Sequence, residues 1–114
     1  MDRAARKISI RFFNDREVRA VWDDASAKWW FSAVDLVAAI SGEPDYAKTR
    51  NYWKWLKSKL RGTAAQLVSA ATQFKLKAPD GKLRLADCFD SDGVAALAKN
   101  FPGTKAIPFL DWFL

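Results

Sequence analysis

Apolar and polar positions alternate along the first third of the chain, the period of a half-buried strand. Ile8, Ile10 and Phe12 alternate with Ser9, Arg11 and Phe13, and Val18, Ala20 and Trp22 alternate with Arg19 and Val21. Lys28 to Phe31 forms a short aromatic third run. The polar stretches Asn14-Asp15-Arg16 and Asp23-Asp24-Ala25-Ser26 separate them as turns. The pattern predicts an antiparallel three-stranded meander.

The period then changes. Ala33, Leu36, Val37 and Ile40 follow the i, i+3, i+4, i+7 spacing of a buried helix face. Ser32 is placed to cap that helix, Asp35 completes a capping-box-like pattern, and Gly42 and Pro44 end it. Asp45 caps a second helix, Tyr46 to Arg61, which Gly62 stops. A shorter helix follows, about Ala64 to Ala71. Thr72, Phe74 and Leu76 then alternate with Gln73, Lys75 and Lys77, and Leu83 and Leu85 with Lys82 and Arg84. Pro79-Asp80-Gly81 lies between them as a turn, so a second hairpin with a basic outer face is expected. Asp90, Ser91 or Asp92 opens a helix containing Val94, Leu97 and Ala98, which ends near Asn100. A last helix starts around Thr104, with Pro108 in its first turn or delaying its start. The expected fold is α+β: an N-terminal three-stranded antiparallel meander, central helices, a second β-hairpin and two C-terminal helices.

Composition narrows the function. At 114 residues the chain suits one domain with one core, and its six Trp and eight Phe are expected mostly inside it. No stretch reaches the roughly 18 apolar residues of a membrane span. Met1 to Lys7 is charged and no long apolar run follows, so no signal peptide is read. Cys88 is the single cysteine, which excludes an internal disulfide and fits a reduced, cytoplasmic setting. Next to Phe89, it is expected to be buried and inert. The absence of His removes the commonest general base and metal ligand. Asp87, Asp90 and Asp92 lack the Gly and Glu of a calcium loop, and helix capping and a solvated loop account for them. No glycine-rich phosphate loop occurs. No catalytic residue, metal site or cofactor is expected, and a binding domain is favoured over an enzyme.

Charge locates the binding surface. The net charge is +6, and residues 42–61 alone hold six basic and two acidic side chains. Residues 62–86 hold four and one, whereas 87–114 hold two and four. A localised basic surface points to a polyanionic partner. On a wheel of about 100° per residue, Thr49, Trp53, Leu56 and Leu60 form the core stripe of the second helix. Arg50, Lys54, Lys57 and Arg61 form an adjacent strip, and Lys48 and Lys59 lie on the other flank beside Trp55. No acid lies inside this helix, although like charges at i,i+4 cost it roughly 0.2–0.5 kcal/mol per pair. A solvated cationic face is the competing explanation; a row of DNA phosphate contacts is the functional one. Arg50 and Asn51 would be the base readers if the helix N-terminus enters the major groove.

Lys75, Lys77, Lys82 and Arg84 on the hairpin suit a wing against the backbone, or equally a guarded edge strand. Trp29, Trp30 and Phe31 are expected in the core rather than as stacking platforms, with Trp30 pointing opposite to its neighbours.

Four ordered segments carry a family resemblance. They are Val21-Trp22-Asp23 with Trp29-Trp30-Phe31-Ser32-Ala33-Val34-Asp35-Leu36-Val37; Tyr52-Trp53 with Leu56-Lys57 and Leu60; Leu76 through Asp80-Gly81-Lys82 to Asp87; and Lys105-Ala106 to Phe109 and Trp112-Phe113-Leu114. Together they cover nearly the whole chain, which resembles the BRO-family N-terminal (Bro-N) domain of phage antirepressors and DNA-damage-inducible-D-like proteins. Arg61-Gly62-Thr63-Ala64-Ala65 departs from that pattern in being small and apolar. The resemblance implies an α+β DNA-binding domain of a longer, often prophage-encoded protein with a variable C-terminal domain. The ending on Trp112-Phe113-Leu114, without a polar tail, agrees with a domain cut from such a protein. The expected role is DNA binding, on double-stranded DNA, in transcription regulation. The alternative is a protein-interaction domain that grips a repressor or another regulator. A homodimer is compatible with either.

Overall fold

The computed structural model describes residues 7–13 and 15–113. Asn14 of the first expected turn, Leu114 and residues 1–6 lie outside them. The expected α+β class is observed. The meander is formed by β1 (Ile8–Phe13), β2 (Arg16–Asp23) and β3 (Lys28–Ser32), with Ile10 opposite Arg19 and Val21 opposite Trp30. The second hairpin, β4 (Thr72–Lys77) and β5 (Leu83–Phe89), joins the same sheet: Phe31 pairs with Phe89 and Ser32 with Cys88. The result is one antiparallel sheet in the order β1-β2-β3-β5-β4. β5 runs four residues beyond the alternating Leu83 and Leu85, because Cys88 and Phe89 are both fully buried and complete the junction with β3.

Helices α1 (Ala33–Ser41), α2 (Tyr46–Thr63), α3 (Ala65–Ser69), α4 (Ser91–Lys99) and α5 (Ala106–Phe113) cover one face of the sheet. The main core joins Phe13, Val18, Phe31 and Phe89 of the strands to Leu36, Trp53, Leu56 and Phe109 of the helices. A smaller cluster of Val21, Phe74, Leu76 and Cys88 lies on the opposite face, with Trp30 and Ala86 against it. The sheet curls there, so that Arg19 Nη1 on β2 donates to the Lys77 carbonyl on β4 at 2.7 Å.

The expected helix boundaries are mostly met. The Asp45 carboxylate accepts from Lys48 N–H, and the Asp90 carboxylate from Gly93 N–H. Gly42 ends α1 at φ 77°, the left-handed conformation that glycine adopts without a Cβ clash. Three boundaries differ, one of them the end of α3, at Ser69 rather than about Ala71. α2 continues through Gly62 to Thr63, because a glycine stops a helix only by leaving helical φ/ψ, and Gly62 keeps a negative φ. α5 starts at Ala106 rather than Thr104, with Pro108 in its first turn, where a missing N–H costs no hydrogen bond.

The capping box expected at α1 is half formed. Ser32 Oγ accepts from Asp35 N–H at 3.3 Å, but the Asp35 carboxylate turns away to β2. There it accepts from the Arg19 backbone N–H at 3.0 Å, from Nε at 2.8 Å and from Nη2 at 3.1 Å. β2 pairs with β3 only from Ala20 onward, so Asp35 takes the place of the strand that has become a helix.

Gly93 marks a close approach of α4 to the sheet. A Cβ there would stand 2.9 Å from Cβ and Cδ1 of the fully buried Phe89. Gly93→Ala is therefore expected to destabilise the fold by about 1–3 kcal/mol through overpacking. Urea denaturation monitored by tryptophan fluorescence measures this, and an unchanged midpoint would contradict it.

Candidate nucleic-acid interface

The wheel read from the sequence holds on the core side: Thr49, Trp53, Leu56 and Leu60 are the buried residues of α2. Of the adjacent cationic strip, Arg50, Lys54 and Arg61 are exposed and in no ion pair among the described residues. Lys57 differs. Its Nζ lies 2.8 Å from Oδ2 of Asp87 on β5, and is thereby paired inside the fold. The same Oδ2 accepts from Trp53 Nε1 at 2.9 Å, and Oδ1 accepts from Gln73 Nε2 on β4 at 3.3 Å.

Asp87 is therefore neither a helix cap nor part of a solvated loop. Burial works to raise its pKa. The hydrogen bonds from Lys57, Trp53 and Gln73 outweigh that and hold it below the ordinary carboxylate value. The Trp53 ring also meets Phe89 edge-on at 5.9 Å. One apolar and two polar contacts thus tie α2 to the β5 side of the sheet. The pairing of Lys57 was hidden in the sequence because its acid lies thirty residues away on another element.

The hairpin's basic residues divide between its two faces. In the register, Lys75 pairs with Leu85 and Lys77 with Leu83, whereas Arg84 pairs with Leu76. Lys75 and Lys77 therefore share a face with Gln73, on the side tied to α2, and Arg84 points the other way. Lys82 lies between the turn and β5, and its backbone N–H is held by Asp80 at 3.0 Å. Arg84 Nη2 is bonded to Asp80 across the turn. A single basic outer face carrying all four is thus not formed. The face with Lys75 and Lys77 is joined there by Leu83 and Leu85, each 62% exposed.

The remaining aromatic candidates and Asp90 have structural partners, and Asp92 lies exposed in the first turn of α4. Phe31 is buried and Trp29 half-buried, with the Arg11 guanidinium 5.7 Å from the Trp29 ring centre and 5.5 Å from that of Phe31. Trp30 points to the opposite face, as expected, and packs on Phe74 at 5.8 Å. Trp55 is 51% exposed, with Tyr52 beside it and Lys59 Nζ 5.2 Å from its ring. Burial pushes the Cys88 thiol up to about 12, which keeps it protonated and unreactive. Asp90 caps α4 and pairs with Lys28 at 3.0 Å. Among the described residues no group of three His, Cys, Asp or Glu side chains could hold a metal ion, and no helix is long and apolar enough to cross a membrane. Compared with known proteins, the chain matches no family model, no curated protein and no solved structure.

The Asp87 junction has a pH signature. Because its folded pKa is depressed, its contribution is fully present above the unfolded carboxylate value of about 3.9. It is lost as pH falls through the lower folded value. Asp87→Ala is expected to cost about 1–3 kcal/mol at neutral pH and to lose less further stability on acidification than the wild type does. Urea midpoints at pH 6 and pH 3 for both proteins measure this; an equal acid loss in both would refute the assignment.

Proposed function

We propose that the chain is the double-stranded-DNA-binding module of a prophage antirepressor-like regulatory protein. The observation that carries the reading is the exposed row Arg50, Lys54 and Arg61 on α2, free of ion pairs among the described residues. Lys75 and Lys77 extend the positive surface along β4, whose Gln73 shares the Asp87 carboxylate with α2. Lys82 adds a cation at the end of the hairpin. These side chains neutralise phosphates and give affinity without sequence choice. Lys57 and Arg84 drop out as primary contacts, since Asp87 and Asp80 already hold them. The resemblance to Bro-N domains supports the antirepressor setting, and the surface supports the nucleic acid.

A second reading, capture of a repressor or another regulator, draws on the exposed Trp55, Leu83 and Leu85. The two separate by salt dependence. Six phosphate contacts correspond to a slope of log affinity against log salt of about −5.4 on duplex DNA, and removal of one contact flattens it by about 0.9. Titration of fluorescent duplex DNA is expected to show this for Lys54→Ala, with equal weakening on unrelated sequences. Lys54→Glu/Arg61→Glu is expected to abolish binding even in low salt, and Trp55→Ala to leave it unchanged. Binding that ignores the charge reversal would overturn the DNA reading.

A further inference from the structure

β1 is an edge strand: β2 pairs with one side of it, and among the described residues no strand pairs with the other. The direction of its backbone groups follows from one bond. Trp22 N–H donates to the Lys7 carbonyl at 3.0 Å, so Lys7, Ser9, Arg11 and Phe13 turn their amide and carbonyl groups toward β2. Ile8, Ile10 and Phe12 then turn theirs to the free edge. The Arg19 N–H, opposite Ile10, agrees: it points away from β1, to Asp35.

Those same three residues carry exposed apolar side chains: Ile8 is 49% exposed, Ile10 50% and Phe12 57%. Edge strands are usually guarded by lysine, proline or an inward charge. β1 has no such guard on this face. Its one charge, Arg11, lies on the opposite face over Trp29 and Phe31.

We infer that β1 pairs antiparallel with β1 of a second copy of this chain, about a twofold axis at Ile10. The side-chain pattern is its own complement about that residue. Ile10 meets Ile10 of the partner subunit, Ile8 meets Phe12 of the partner subunit, and both rows lie on one face. On the other face Ser9 meets Arg11 of the partner subunit, so no like charges oppose. The three facing pairs are of the hydrogen-bonded kind, two bonds to each pair. A shift of one residue sets outward groups against inward ones, and a shift of two loses a pair. About Ile10 the exposed apolar row faces itself and Ser9 faces the single charge, Arg11, so a second copy leaves no charge opposed by a like charge or by an apolar side chain. The apolar area is small beside the roughly 1,200–2,000 Å² of a stable interface, so the dimer is weak and concentration-dependent.

The test is read without DNA and so stands apart from the DNA reading. In the proposed pairing the two Ile10 Cα atoms are about 5.5 Å apart, within disulfide range, whereas the two Ile8 positions are about 14 Å apart. Ile10→Cys is expected to cross-link under mild oxidation. Ile8→Cys alone is expected not to, but to cross-link when mixed with Phe12→Cys. The native Cys88 is fully buried and does not interfere. Sedimentation velocity of the wild type is expected to show association that Ile10→Lys abolishes and Leu85→Lys, which changes a still more exposed apolar residue, does not. Far-ultraviolet circular dichroism confirms that each variant folds. A wild type that stays monomeric up to millimolar concentration, no cross-link through Ile10→Cys, or equal cross-linking through Ile8→Cys alone would overturn the inference.

Discussion

The Asp87 carboxylate accepts from an indole, an ammonium and a side-chain amide that come from two different elements. That convergence sets the roll of α2 about its own axis. Apolar packing alone is tolerant of small rotations, because Trp53, Leu56 and Leu60 form a broad stripe. Two directional bonds from Trp53 and Lys57 to one oxygen remove that tolerance. At about 100° per residue, fixing Trp53 and Lys57 fixes the direction of Arg50, Lys54 and Arg61 as well. A partly buried acid thus orients a cationic surface. Without it, the N–H of the buried Trp53 and the half-buried Lys57 ammonium would be left without their partner, which costs more than the bonds themselves contribute.

A second carboxylate does related work across the sheet. Asp35 receives the backbone and guanidinium of Arg19 where β3 gives way to α1, and Arg19 in turn reaches the Lys77 carbonyl. The chain Asp35–Arg19–Lys77 spans α1, β2 and β4 and accompanies the curl that packs Phe74 and Leu76 over Val21. The two acids therefore position the two parts of the basic surface, the helix through Asp87 and the hairpin through Arg19. Arg50, Lys54, Arg61, Lys75 and Lys77 themselves form no ion pair among the described residues.

Much of this was legible in local sequence. Ser32, Asp45 and Asp90 cap helices as their spacing predicts, Gly42 ends one, and the buried stripe of α2 follows from the 3.6-residue period. What escaped was non-local. Nothing near Lys57 reveals Asp87, and nothing near Asp35 reveals Arg19. The division of the hairpin cations depends on register: with Lys77 opposite Leu83, Lys75 and Lys77 fall on one face and Arg84 on the other. Alternation within each strand is visible in the sequence, but the relative phase of the two strands is set by the turn. The merging of two hairpins into one sheet rests on Phe31 with Phe89 and Ser32 with Cys88, pairs drawn from distant segments. Gly62 shows the converse: a residue that often ends helices passes through one unchanged.

In the proposed DNA-binding role, Asp87 holds the helix and the hairpin so that one duplex meets both. Chemical-shift mapping on the isotopically labelled protein, titrated with a short duplex at low salt, tests it most directly. The account predicts that Arg50, Lys54 and Arg61 shift together with Lys75 and Lys77 on one common binding curve. Shifts confined to one of the two elements, or centred instead on Trp55, Leu83 and Leu85, would contradict it.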